Sequence, residues 1–136
     1  MRHIAPTDAA ARALIARGMG TPVTMLNLLR FRDTADYAHA PDLAPPAPIT
    51  GAAAYDLYVA GLAPLLAASG GEVIFDGTGG PWFIGPEGDE WDRVLLVRQA
   101  SVAAFLAFAR DPKAQHIGHH RTAALADSRL LPLDPV

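Results

Sequence analysis

The sequence predicts an α+β domain in which the unit strand–helix–strand occurs twice. Three observations lead there. Extended apolar runs alternate with segments of helical periodicity in the order β-α-β-β-α-β. Ser or Thr stands just before each main helical segment, and Gly or Pro punctuates the ends. At 136 residues the chain is long enough for one domain with a buried core. We therefore expect a single ferredoxin-like βαββαβ domain over 1–136, with a four-stranded antiparallel sheet carrying its helices on one face. Residues 1–21 form an N-terminal helical extension, and 32–49 a Pro-rich loop.

Thr7 to Arg17 reads as a short helix, with Thr7 or Asp8 as cap and Gly18 as its stop. Pro22 to Phe31 reads as a strand, built on Val23, Met25, Leu26, Leu28 and Leu29. The loop that follows carries Pro41, Pro45, Pro46 and Pro48 and is expected to be a mobile flap. Thr50 caps a helix from Gly51 to Ala68. In it Tyr55, Tyr58, Val59, Leu62, Leu65 and Leu66 recur at helical spacing, and Pro64 should kink it. Glu72 to Asp76 begins a strand that Gly77-Thr78-Gly79-Gly80 should interrupt, with Trp82 to Ile84 resuming it. Trp91 to Gln99 is the third strand. Ser101 caps a helix to Ala109, which Asp111-Pro112 breaks, and a further helix runs from about Lys113 to Ala126. Ser128 to Leu133 closes the sheet.

Composition excludes several classes. The formal charge is −3, and the 11 basic residues form no stripe, so neither nucleic acid nor a membrane surface is an expected partner. No apolar run is expected to span a bilayer, and the N-terminus lacks the apolar stretch of a secretory signal. Without cysteine there is no disulfide framework, thiolate nucleophile or Cys metal site, and cytoplasmic residence is the default. No cofactor is expected.

The strands predict a partner. A sheet with one wet face alternates apolar and polar residues, yet here Met25 and Leu29 oppose Leu26 and Leu28, while Leu95 and Val97 oppose Val94 and Leu96. Two helices cover one face only. The other needs either a second copy, sheet against sheet, or the Pro-rich loop or N-terminal helix folded across it. The first makes a homodimer.

Candidate chemistry rests on polar residues set in apolar strands, since burial is costly without a partner. Asn27 lies mid-strand and offers its amide to a ligand or to neighbouring backbone. Strand alternation sends Trp91 and Arg93 to one face, where Arg93 is suited to clamp a carboxylate and Trp91 to wall a pocket; a salt bridge and core closure are the alternatives. His116, His119, His120 and Arg121 form the densest titratable group. His116 and His120 are spaced i, i+4 as metal ligands are, but Ile117 replaces the glutamate of a zinc-protease motif and no third ligand is near, so no metal is expected. His120 shares a helical face with Ile117 and Ala124; pointing inward, it is the general acid/base candidate, a satisfied core histidine being the alternative. The candidate set is thus His120 as catalytic residue, with Asn27, Trp91, Arg93 and Arg121 binding a small molecule.

Several segments together resemble a bacterial family, the domain of unknown function 1330, within the dimeric α/β-barrel superfamily. They are Met25 through Phe31, Tyr55 through Gly71, Ile84-Gly85-Pro86, Trp91-Asp92-Arg93-Val94, Ser101 to Pro112 and His120 through Leu125. The resemblance implies a ferredoxin-like fold and a dimer with sheets face to face. It implies no particular reaction, since related barrels include cofactor-free monooxygenases, lactone isomerases, haem-degrading enzymes and non-catalytic members. A small-molecule enzyme with its pocket between sheet and helices is the expectation; the alternative is a non-catalytic ligand-binding or assembly module.

Overall fold

Hydroxyl side chains start three of the helices at their expected places. Thr7, Thr50 and Ser101 accept from the backbone N–H of Ala10, Ala53 and Ala104 at 3.1, 3.0 and 3.0 Å. Each such cap contributes about 1 kcal/mol. In the computed structural model, which describes residues 2–136, they open α1 (Asp8–Ala16), α2 (Gly51–Ala68) and α3 (Val102–Arg110). Asp111 ends α3 and caps α4 (Pro112–Ala124) by accepting from the N–H of Lys113, with Pro112 in the first turn.

The strands are β1 (Val23–Phe31), β2 (Glu72–Gly80), β3 (Trp91–Gln99) and β4 (Leu125–Leu133). They form one antiparallel sheet in the order β2-β3-β1-β4, the order of the expected ferredoxin-like α+β fold. Val23, Met25, Asn27 and Leu29 face the helices together with Leu95 and Val97, and the core closes on them with Tyr55, Leu62 and Leu66 of α2.

Four details differ from expectation. Helix α2 runs unbroken through Pro64. Pro64 and Ala60 are both exposed, so the carbonyl that loses its amide partner is left to water. By length and composition α2 is also apolar enough to cross a membrane, with a mean hydropathy of 1.3, although no such run was expected; its buried stripe packs on the sheet instead. Strand β2 continues to Gly80, and its register shift falls between Val73 and Phe75. The glycines lie within the paired strand rather than ending it, and a Cβ at Gly79 would lie 2.4 Å from the Trp91 carbonyl oxygen. Trp82, Phe83 and Ile84 therefore sit in the exposed connection to β3. Strand β4 starts at Leu125, directly after α4, because Ala123, Ala124 and Leu125 are all fully buried and hold the chain on the core.

The Pro-rich segment is fastened at both ends. Arg32 and Asp36 donate backbone N–H bonds to the carbonyls of Ala124 and Ala123 at 2.8 and 2.9 Å, and Ala35 donates to Ile49 at 2.9 Å. A short 3-10 turn occupies Pro41–Leu43, and Tyr37 is buried. Helix α1 docks through Leu14 into the same core, and the backbone carbonyls of Met19 and Thr21 meet the start of α3. The sheet face away from the helices thus stays open. Across it runs one apolar row, Phe75–Leu96–Leu26–Leu131, contributed by all four strands in register. Phe75 and Leu131 are each 53% exposed.

Candidate functional site

A cavity of about 300 Å³ lies between the sheet and the helices. Strand pairing sets its floor, because Met25 lies opposite Val97 and Asn27 opposite Leu95 on the helix-facing side. Leu62 and Leu66 of α2 and Phe105 and Phe108 of α3 wall it. Half-exposed Leu130 of β4 also lines it. A shallower groove of about 420 Å³ between α2 and α4 is almost wholly apolar at its surface, with Lys113 and His116 at one side. The buried cavity is the better site, since it gathers several polar groups that water does not reach freely.

Those groups are Asn27, Gln99, Tyr55, Tyr58 and Arg121. Asn27 donates through Nδ2 to the Met25 carbonyl at 3.3 Å, which leaves its oxygen as an acceptor. Gln99 is 2% exposed, and its buried Oε1 has no hydrogen-bond partner among the described residues. Burial raises the pKa of Tyr55 and, likewise, of Tyr58. Both phenols therefore remain protonated at neutral pH and serve as donors. The Arg121 charge opposes that shift in both, which sets the guanidinium near the two rings. Its Nη1 and Nη2 donate to the Ile4 carbonyl at 2.8 Å and to Ser128 Oγ at 3.3 Å, so the segment before α1 and strand β4 hold it in place.

Of the residues singled out in the sequence, Asn27 and Arg121 come together here and the other three do not. His120 Nδ1 lies 2.7 Å from the Tyr37 hydroxyl, with the rings edge to face at 5.6 Å. It has turned to the Pro-rich segment, not to the cavity, and burial, then His116 and His119, lowers its pKa. Arg93 is held by the protein's own carboxylates: Nε and Nη2 meet Asp76 at 2.8 and 2.7 Å, and Nη1 meets Asp56 at 2.8 Å. Its guanidinium stands 5.3 Å over the Tyr55 ring and ties α2 to the sheet. Trp91 is buried and paired with Gly80 of β2, and its ring is occupied by the guanidiniums of Arg30 and Arg129, at 4.3 and 5.1 Å. Among the described residues no three His, Asp or Glu side chains converge as a metal set.

Sequence reasoning missed Gln99, Tyr55 and Tyr58 as site residues. Gln99 had a signal, being a polar residue at the helix-facing register of β3. The tyrosines fell within the apolar stripe of α2, where packing accounts for them equally well.

The topology and the cavity define a ferredoxin-like α+β domain with a pocket enclosed by sheet and helices. Among solved structures, the chain is similar to the methylated RPA0582 protein, with 36% identity over 99% of this chain and 96% of that one and a TM-score of 0.87. It is similar also to RPA0582 itself, a protein of unknown function from Rhodopseudomonas palustris, with 37% identity over 100% and 98% and a TM-score of 0.85. The chain belongs to the RPA0582 family. A hydroxynitrile lyase from Passiflora edulis shares the fold alone, with 18% identity over 84% and 93% and a TM-score of 0.52. No protein-family model and no curated protein matches the chain.

Proposed function

We propose that this protein binds and acts on a small, largely apolar molecule in the cavity between sheet and helices, working as a homodimer joined through its open sheet faces. The observation that carries the reading is that Asn27, Gln99, Tyr55, Tyr58 and Arg121 all line one largely apolar cavity. Tyr55, Tyr58 and Arg121 present donors to a carbonyl or carboxylate oxygen, and Asn27 presents an acceptor. The segments Met25–Phe31, Trp91–Val94 and His120–Leu125 are our grounds for setting the RPA0582 family beside the domain of unknown function 1330. The open row Phe75–Leu96–Leu26–Leu131 supports the dimer, since neither α1 nor the Pro-rich segment covers it.

One observation favours the alternative, a non-catalytic binding module. No histidine or carboxylate lines the cavity, so none of the described residues there titrates near neutrality as a general base does. Gly118 supplies the test. A Cβ at this position would meet nothing within 4 Å, so a larger side chain there projects into free space beside the cavity. Ligand-observed NMR with a metabolite mixture should detect binding by the wild type that Gly118→Leu abolishes. Binding that survives this change, or no binding by the wild type, would count against the site.

A further inference from the structure

Gln99 brings a fully buried, unpartnered side-chain oxygen to the cavity lining. Its side chain is buried, it lines the space, and among the described residues no donor reaches Oε1. The sheet register places it opposite Val23, whereas Asn27 lies opposite Leu95. The two are therefore four residues apart along β1, roughly 13 Å at about 3.3 Å per residue. Between them the floor is the apolar pair Met25 and Val97. The cavity is thus an elongate slot with a polar group at each end. Asn27 marks one end, with Tyr55, Tyr58 and Arg121 in the same lining; Gln99 alone marks the other.

We propose that the slot takes an elongate molecule with an apolar middle and a hydroxyl that meets Gln99, and that Gln99 selects for that hydroxyl; this rests on the small-molecule reading above. A hydroxyl both donates and accepts, so it satisfies the Gln99 amide whichever way the amide is turned. A cationic group does not suit the site, because no carboxylate among the described residues lines it and Arg121 already supplies positive charge. The opposite end of the ligand meets donors and so carries a carbonyl or carboxylate oxygen. The space of about 300 Å³ equals roughly ten water volumes at about 30 Å³ each, which suits a ligand of about a dozen heavy atoms.

Two probes of equal size separate the possibilities: 3-(4-hydroxyphenyl)propionate and 3-(4-methylphenyl)propionate, titrated calorimetrically. The wild type should bind the hydroxyl compound about ten-fold more tightly, the effect of one hydrogen bond that would otherwise go unmade. In Gln99→Met the preference should disappear while the methyl compound binds as well as before. The Gln99 side-chain amide resonances should shift with the hydroxyl compound and not with the methyl compound, a readout that needs no variant. Equal binding of both probes to the wild type, or a preference that persists in Gln99→Met, overturns the role of Gln99 and leaves the cavity reading intact. If neither probe saturates the wild type by about 10 mM, both the role of Gln99 and the cavity reading fall.

Discussion

Replacing Leu26 by Asp tests the sheet-to-sheet dimer at its centre. Leu26 lies on β1, one of the two inner strands, between Leu96 and Leu131 in the apolar row. Four strands about 4.8 Å apart, each of nine residues at about 3.3 Å, present a face of roughly 19 by 30 Å. Each copy then buries on the order of 570 Å² and the pair about 1,100 Å², just above the lower bound for a specific interface. An interface of that size has little surplus. A two-fold axis places the new carboxylate in it twice, against apolar neighbours, at a cost of about 3 kcal/mol per copy. Together these weaken association by about 6 kcal/mol, on the order of 10⁴-fold in Kd. Sedimentation at about 20 µM should show the wild type at twice the 14.3 kDa chain mass and Leu26→Asp at the chain mass. Far-UV circular dichroism should stay unchanged, because the helix-facing core is untouched. Leu57→Asp, on the exposed side of α2, should leave the dimer intact. A wild type that sediments as a monomer, or a Leu26→Asp dimer, refutes the reasoning.

Other perturbations bear on the fold and the site. Gly51→Ala should destabilise by about 3 kcal/mol in urea titrations, because its Cβ would lie 2.3 Å from the Arg32 carbonyl oxygen and 2.6 Å from that of Ala124. Gly118→Ala should instead raise stability by about 0.5–1 kcal/mol, the helix-propensity gain at a position with free space. Arg93→Met should cost about 1–2 kcal/mol, mostly through Asp76, since Asp56 is 71% exposed and screened by water; probe affinity should change less than about three-fold if Arg93 is a strut. For His120 the folded pKa lies below its unfolded value of about 6.5, so the unfolded chain takes up the proton first. Its stabilising effect is complete above that value and is lost as pH falls through the folded pKa. Urea midpoints should therefore drop between about pH 7.5 and 5.5, and His120→Asn should flatten the profile. A flat wild-type profile would contradict this. The lowered carboxylates Asp76, Asp89 and Asp127 act near and below about pH 4, outside that window.

The fold was legible because its signals are local. Thr7, Thr50 and Ser101 announce helix starts in the sequence, and the two-sided apolar character of β1 and β3 is a property of residues adjacent in the chain. The bulge in β2 was misplaced because a glycine that makes room for a neighbouring strand looks in sequence like a glycine that makes a turn. Gly79 is kept small by the Trp91 carbonyl, twelve residues away. The site was half legible. Alternation along β1 puts Asn27 on the face of Met25 and Leu29, which is the buried face, but no spacing within β3 encodes that Arg30 and Arg129 occupy the Trp91 ring. The face to which His120 turns depended on the position of Tyr37, 83 residues distant, which no spacing within α4 encodes.

What separates the site from the scaffold is whether a polar group already has its partner. Arg93 and His120 drew attention as charged or titratable residues near apolar strands, yet Asp76, Asp56 and Tyr37 engage them from within the chain. Little unmet hydrogen-bonding capacity is left for a ligand. At one end of the cavity Gln99 shows the reverse, although Asn27 and Arg121 are partly engaged. Gln99 keeps a buried oxygen with no donor among the described residues, and Gly118 weakens α4 by about 0.5–1 kcal/mol with nothing nearby that requires a glycine. An unmade amide bond costs about 1–3 kcal/mol where it is buried. Both costs fall on residues that line one space, and a ligand with an apolar middle and a terminal hydroxyl offsets the first while using the room left by the second. In the absence of ligand, Gln99→Met should accordingly melt above the wild type. If it melts lower, Gln99 contributes to the stability of the fold, and the argument from its empty oxygen fails.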